Sequence, residues 1–141
     1  MKAAVCCCDS GKPFKQCCGL LLAGAVLPKT AKKLMRSRYT AYALGGYGDY
    51  LLATWHPDHR AGLDAASLSM QTTNWQSLKI IESNQHNNEA VVEFIAYFLD
   101  FSGEIGLHRE RSRFQRIKGC WYYVDETKDR ADHKEQAVNV N

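Results

Sequence analysis

At 141 residues and 15.9 kDa the chain has room for one main domain and a short appendage. Its composition, 45% apolar, 11% aromatic and 23% charged, is that of a globular protein and excludes a wholly disordered chain. A formal net charge of +3 is too small to demand a nucleic-acid partner, so any such contact has to come from local clusters.

The first feature along the chain is a run of thiols: five of the six cysteines fall between Cys6 and Cys18. The apolar stretch behind it, "GLLLAGAVLP" from Gly19 to Pro28, is shorter than the roughly 18 residues a membrane span needs. The charged, cysteine-rich segment before that stretch is not the start of a secretory signal. The sequence therefore reads as cytoplasmic, a reducing setting in which crowded thiols serve as metal ligands or redox groups rather than disulfides. Cys6 and Cys8 form a C-x-C pair, eight residues follow, and Cys17 and Cys18 form a C-C pair, which makes four sulfurs for one tetrahedral ion. In the intervening "DSGKPFKQ", Asp9, Ser10 and Gly11 favour tight turns, and Lys12 and Lys15 offset the negative charge of a four-thiolate site.

The stretch "CCCDSGKPFKQCCG" resembles the SEC-C motif, whose usual form is C-P-C-G-S-G-K, a short basic and aromatic stretch, then C-C-G or C-H-G. That resemblance implies a metal-binding knuckle over residues 1–20 with Cys6, Cys8, Cys17 and Cys18 as ligands, and a role in protein contacts such as the motif serves at the C-terminal end of the SecA translocase motor. Cys7 stands where the motif has Pro and Asp9 where it has Gly, so Cys7 is a spare thiol able to exchange into the Cys6 position. Zinc is the default cation for four sulfurs, and iron accepts the same set.

Pro28 and Thr30 signal a helix start, and "AKKLMRSRYTAYAL" keeps helical spacing until Gly45 and Gly46. Ala31, Leu34, Met35, Arg38, Ala41 and Tyr42 share one stripe, with Lys32, Lys33, Arg36 and Thr40 on the other side. A guanidinium at Arg38 inside an apolar stripe needs a partner. "DYLLATWHPDHR" predicts a second helix ending before Pro57, with Trp55 in the core, and "DAASLSMQ" a third, short one.

From there the period changes to two. "WQSLKIIES" and "EAVVEFIAYFLDF" are strands separated by the break "NQHNNE", and turns at "SGE" and "KGC" deliver "IGLHRERSRFQRI" and "WYYVDE". Helices followed by four antiparallel strands predict an α+β domain with the helices packed into one side of a curved sheet, over residues 28–126. Residues 127–141 are polar and aperiodic and are expected to form a loose tail. On the third strand His108, Glu110, Ser112 and Phe114 share a face, and Arg109, Arg111, Arg113 and Gln115 the other. The face with Phe114 is taken as the inner one, since three adjacent arginines repel and seek water. Glu110 is then the expected partner of Arg38. Cys120 reads as a small packing residue, and His59, His86 and His133 as solvent-facing.

"VLPKTAKKLMRSRYTAY", "YLLATWHPDHR", "VEFIAYF", "HRERSRF" and "WYYVD" are similar to the YchJ-like family, and with the knuckle the likeness spans residues 6–125. It implies a nuclear-transport-factor-2-like, cystatin-like cone enclosing a pocket behind the knuckle. Some relatives carry a second knuckle at the C-terminus; no cysteine follows Cys120 here, and one metal site is expected. The fold hosts enzymes, binders and adaptors alike, so function rests on the sites. One expectation is a metal-binding adaptor displaying Lys12, Phe14 and Lys15 to a protein or ribosomal partner, with the arginine face of the third strand suited to RNA or an acidic protein and no role for a membrane. The other is a small-molecule site or hydrolase pocket, with His108 as acid or base, Glu110 orienting it and Arg38 holding an anion. In a purely structural reading Arg38 and Glu110 neutralise each other beneath the helix.

Overall fold

The computed structural model describes residues 5–127. Most of the expected tail, His133 included, lies outside the described residues. The first residue assigned to the tail, Thr127, still donates its backbone N–H to the Arg111 carbonyl at 2.8 Å.

After a 3-10 turn at Phe14–Gln16 come four helices: α1 (Cys18–Leu22), α2 (Ala31–Leu44), α3 (Gly48–Ala53) and, beyond another 3-10 turn at Pro57–His59, α4 (Ala65–Leu68). Four strands follow, β1 (Asn74–His86), β2 (Glu89–Leu99), β3 (Ile105–Ile117) and β4 (Cys120–Glu126), in one antiparallel sheet of order β1-β2-β3-β4. The fold is the expected α+β arrangement.

The turns follow local chemistry. The break expected over six residues narrows to Asn87 and Asn88, because β1 and β2 stay paired down to His86 opposite Glu89. Asn87 takes a left-handed φ of 57°, and Lys118–Gly119 repeats that conformation between β3 and β4 with φ of 52° and 83°. Between β2 and β3 the Asp100 carboxylate accepts the backbone N–H of Ser102 and of Glu104, both at 2.9 Å. Two register shifts in β1, between Trp75 and Ser77 and between Ile80 and Glu82, bend that strand and break its alternation. They put Trp75, Leu78 and Ile80 toward the core and leave Ile81 exposed.

Helix α2 is the centre of the molecule. Thr30 caps it by accepting the Lys33 N–H at 3.1 Å. Its expected apolar stripe faces the sheet, but the opposite side is not all solvent: Ser37 and Thr40 are fully buried. The N-terminal knuckle packs there, so Cys6, Cys8 and Cys18 join Leu34, Met35, Val92 and Phe114 in one continuous core cluster. Arg36, placed on the outer side by periodicity, donates to the Cys8 carbonyl at 2.6 Å.

Helix α3 sits against α4 through Gly48, where a methyl group would overlap the Ala65 carbonyl oxygen. Gly48→Ala is therefore expected to destabilise the fold by about 2 kcal/mol despite its better helix propensity. Urea unfolding checks this, and a stabilised variant would show that the α3–α4 contact yields easily.

Candidate metal centre and inner pocket

The knuckle begins with an antiparallel bridge between Val5 and Pro13, closed by the Cys6 N–H on the Lys12 carbonyl at 2.8 Å. The turn inside it needs two left-handed residues, and Asp9 (φ 65°) and Gly11 (φ 86°) supply them. Asp9 thus takes the conformation for which the motif usually has Gly, and its carboxylate accepts the Leu78 N–H of β1 at 2.8 Å. Behind the turn, Phe14 is not displayed: its ring lies on Gly19, where a Cβ would come within 2.6 Å of the Phe14 carbonyl oxygen and 3.0 Å of the ring. The motif's C-C-G ends in Gly because Phe14 covers that spot.

This fold brings the sulfurs of Cys6, Cys8, Cys17 and Cys18 to within 4.8 Å of one another, with those of Cys8 and Cys17 3.6 Å apart. Cys7 stays outside the group and donates its thiol to Thr40 Oγ1 at 3.7 Å. Thr40 in turn donates to Cys18 Sγ at 3.3 Å, and Ser10 Oγ lies 3.1 Å from Cys17 Sγ. Hydrogen bonding from Cys18 brings the Cys8 thiol down to about 4, against the pull of burial, while Cys18 is pushed up because it holds the proton facing the Cys8 sulfur. Burial raises Cys17 as well, so before a cation binds the cage favours a single thiolate, at Cys8, the form in which sulfur binds metal. All six cysteines are free thiols, and Cys120 sits half-buried at the β3–β4 turn, outside the four-sulfur group.

The second site lies between α2 and the sheet. A cavity of about 210 Å³ is lined by Arg38, Tyr42, Trp55, Trp75, His108 and Glu110 among others. As expected, β3 turns His108, Glu110, Ser112 and Phe114 inward, opposite Ala96, Phe94, Val92 and Ala90 of β2. The expected Arg38–Glu110 ion pair does not form. Arg38, 3% exposed, donates through Nη1 to the Leu51 carbonyl at 2.8 Å and to Thr54 Oγ1 at 2.7 Å. Its guanidinium lies 4.9 Å from the centre of the Trp55 ring and 4.7 Å from that of Tyr123. Glu110 is taken up elsewhere, by His108 Nε2 at 2.9 Å, Ser112 Oγ at 2.6 Å and Tyr123 Oη at 3.0 Å. Tyr123 stands between the two charges, its ring against the cation and its hydroxyl on the carboxylate.

Trp55 is half-buried and forms a cavity wall rather than solid core, packed edge-on to Tyr123 at 5.1 Å. Beside it His56 is buried, bonded to Gln115 Oε1 at 2.8 Å, and the backbone of this segment pairs with Tyr123 of β4. His59 and His86 are exposed.

Burial pulls the Glu110 carboxyl up, but its bonds from His108, Ser112 and Tyr123 outweigh that and leave it below the ordinary carboxylate value. The Glu110 hydrogen bond raises His108 above its ordinary 6.5, with Glu126 adding a smaller pull. A raised histidine stabilises the fold fully below pH 6.5 and loses that contribution as pH rises through its shifted value. Glu110→Gln is expected to return the His108 titration, followed by NMR, toward 6.5 and to flatten stability across that window. An unchanged titration would show that Glu110 does not hold the ring.

The arginine face of β3 also differs from expectation. Arg109 meets Glu93 at 2.7 Å, Arg111 meets Glu93 at 3.1 Å and Glu82 at 3.3 Å, and Arg113 meets Asp125 at 2.7 Å. The stripe is held by acids rather than by water alone.

Sequence reasoning missed Thr40, Tyr123 and Glu93. Thr40 had a weak signal, since Ser37 and Thr40 are small polar residues on one helix face, where another chain segment can approach closely.

Fold and site together define a nuclear-transport-factor-2-like α+β domain with a four-cysteine cage packed on its central helix. A family model described as the middle NTF2-like domain of YchJ matches residues 30–126. UPF0225 proteins are similar along most of their length: that of Photorhabdus laumondii is 45% identical over 130 residues, covering 88% of this chain and 80% of the relative. That of Geobacter sulfurreducens is 38% identical over 126 residues, covering 86% and 77%. The chain belongs to this YchJ-like, UPF0225 family. The solution structure of a SEC-C motif containing protein from Rhodopseudomonas palustris, 35% identical, superposes with a TM-score of 0.82 over 90% of this chain and 100% of that one.

Proposed function

We propose that the protein holds one cation, zinc by default, on Cys6, Cys8, Cys17 and Cys18, and that the knuckle it stabilises is a docking surface for a protein partner. The gathering of four sulfurs within 4.8 Å carries the reading. A tetrahedral zinc–sulfur site with bonds of about 2.3 Å needs sulfur–sulfur edges of about 3.8 Å, which fits that envelope. Bound there, the ion supplies a cross-link between the knuckle turn and α1.

Docking is supported by the surface beside the cage. Among the described residues a groove there is lined by Lys12, Lys29, Lys32, Lys33 and Arg36 with no acidic residue, and by Leu20, Val26 and Leu27, which are 40%, 40% and 64% exposed. Cations beside exposed apolar side chains suit an acidic protein segment with apolar anchors. The arginines of β3 are engaged by acids, which favours this groove over that face and a protein over RNA. Among the described residues no helix is long and apolar enough to cross a membrane.

Elemental analysis of reduced protein is expected to find one zinc per chain, and a metal-free result would remove the cage reading. Charge reversal by Lys29→Glu with Lys33→Glu leaves the core intact and is expected to abolish cross-linked capture of partners. Equal capture by both proteins would remove the docking reading while leaving the metal count to stand by itself.

A further inference from the structure

The inner cavity plays no part in the docking reading, yet its composition is specific. A cavity of about 150 Å³ with apolar walls takes up benzene, so the 210 Å³ here holds one ring with a small substituent. The walls are aromatic. Trp75 stands edge-on to Phe98 at 5.6 Å and to His108 at 6.3 Å, with Trp55 and Phe94 also lining the space. The charges are graded by depth: Arg38 is 3% exposed, whereas the His108 side chain is 43% exposed at the mouth.

Among the described residues no ion pair joins Arg38 to a carboxylate. Glu110 already accepts three hydrogen bonds, from His108, Ser112 and Tyr123. Burying a guanidinium without a counter-ion is costly, and aromatic faces with a carbonyl and a hydroxyl offset only part of that cost. With Nε2 committed to Glu110, His108 keeps Nδ1 for a ligand.

We propose that this cavity binds a small planar aromatic monocarboxylate, with its ring between the Trp55, Trp75 and Phe94 side chains, its carboxylate on Arg38 and an edge against His108. The ligand supplies a carboxylate in direct contact with Arg38, a place that Glu110, bonded to three other groups, does not take, and the rings supply the apolar contact.

The test titrates the full, isotope-labelled chain with benzoate, using benzamide as the neutral isostere and the Trp55 and Trp75 indole N–H signals as readout. Saturable shifts at both signals are expected, with benzoate binding about tenfold or more tightly than benzamide, equivalent to about 1.4 kcal/mol. Ala96 lines the cavity opposite His108, and Ala96→Leu fills it without removing a charged group; it is expected to abolish the shifts. Should that variant not fold, His108→Asn serves instead and is expected to weaken benzoate and benzamide alike, by about threefold or more, because the ligand edge they share meets His108. Absent shifts, equal affinity for benzoate and benzamide, unchanged binding in folded Ala96→Leu, or unchanged benzoate affinity in His108→Asn would each overturn the proposal. None of these outcomes alters the metal count, so the cage reading stands or falls separately.

Discussion

Cys8→Ser protein is expected to purify without metal and to unfold on the order of 10 °C below the parent chain. The sulfur of Cys8 lies in the cage, 3.6 Å from Cys17, and is fully buried in the cluster that also contains Leu34 and Met35 of α2. Losing the ion removes a cross-link and also leaves the buried thiols of Cys6 and Cys18, the half-buried Cys17 and the Thr40 hydroxyl without the charge they surround, a cost of about 3 kcal/mol or more. Chelation under mild denaturant is expected to produce the same shift in the parent. Cys7→Ser is the control: its thiol lies outside the cage, so it is expected to keep the metal and to move the midpoint by less than about 3 °C. Metal content and melting point measured together decide the matter, and a Cys8→Ser chain that retains both would show that the four sulfurs hold nothing.

Glu93→Ala is expected to cost about 3 kcal/mol, the lower end for removing one partner of a buried ion pair. Glu93 is 2% exposed on the outer face of β2 and receives Arg109 at 2.7 Å and Arg111 at 3.1 Å from β3. Its loss leaves two guanidinium groups facing each other with the carboxylate between them gone. They are 29% and 19% exposed, so they can turn partly to water, which keeps the cost at that lower end. Denaturant unfolding of Glu93→Ala beside Glu93→Gln reads the effect, with Gln falling between the two. A loss below about 1 kcal/mol would mean that the arginines are solvated well enough alone.

What was legible in the sequence was what short-range spacing encodes. The cage cysteines fall within one knuckle whose turn residues, Asp9 and Gly11, lie between them, and the structure gathers the four that spacing picked out. The inward phase of β3 followed from Phe114 on one face and three mutually repelling arginines on the other, because a strand's period of two propagates from one secure position. Arg38 was recognisable as an anomaly, but its partners were not. A carbonyl at Leu51 and the rings of Trp55 and Tyr123 carry no charge signal, so the nearest acid on the right face was chosen instead. Glu93 was hidden in an apolar run for a related reason: alternation assigns it to the outer face but says nothing of the arginine side chains that cover it. The second buried face of α2 left only the faint trace of Ser37 and Thr40, because helical periodicity describes one contact surface, and here two segments share one helix.

The bond from Leu78 to the Asp9 carboxylate has an effect beyond the knuckle itself. Among the described residues β1 is an outermost strand, 13 residues long, and its side away from β2 is a template on which another copy of the chain can add a strand. Asp9 occupies one of those backbone donors and sets a negative charge beside it, acting as a guard against aggregation. Loss of the cation would unlock that guard, so metal starvation is expected to show itself first as precipitation and only afterwards as unfolding.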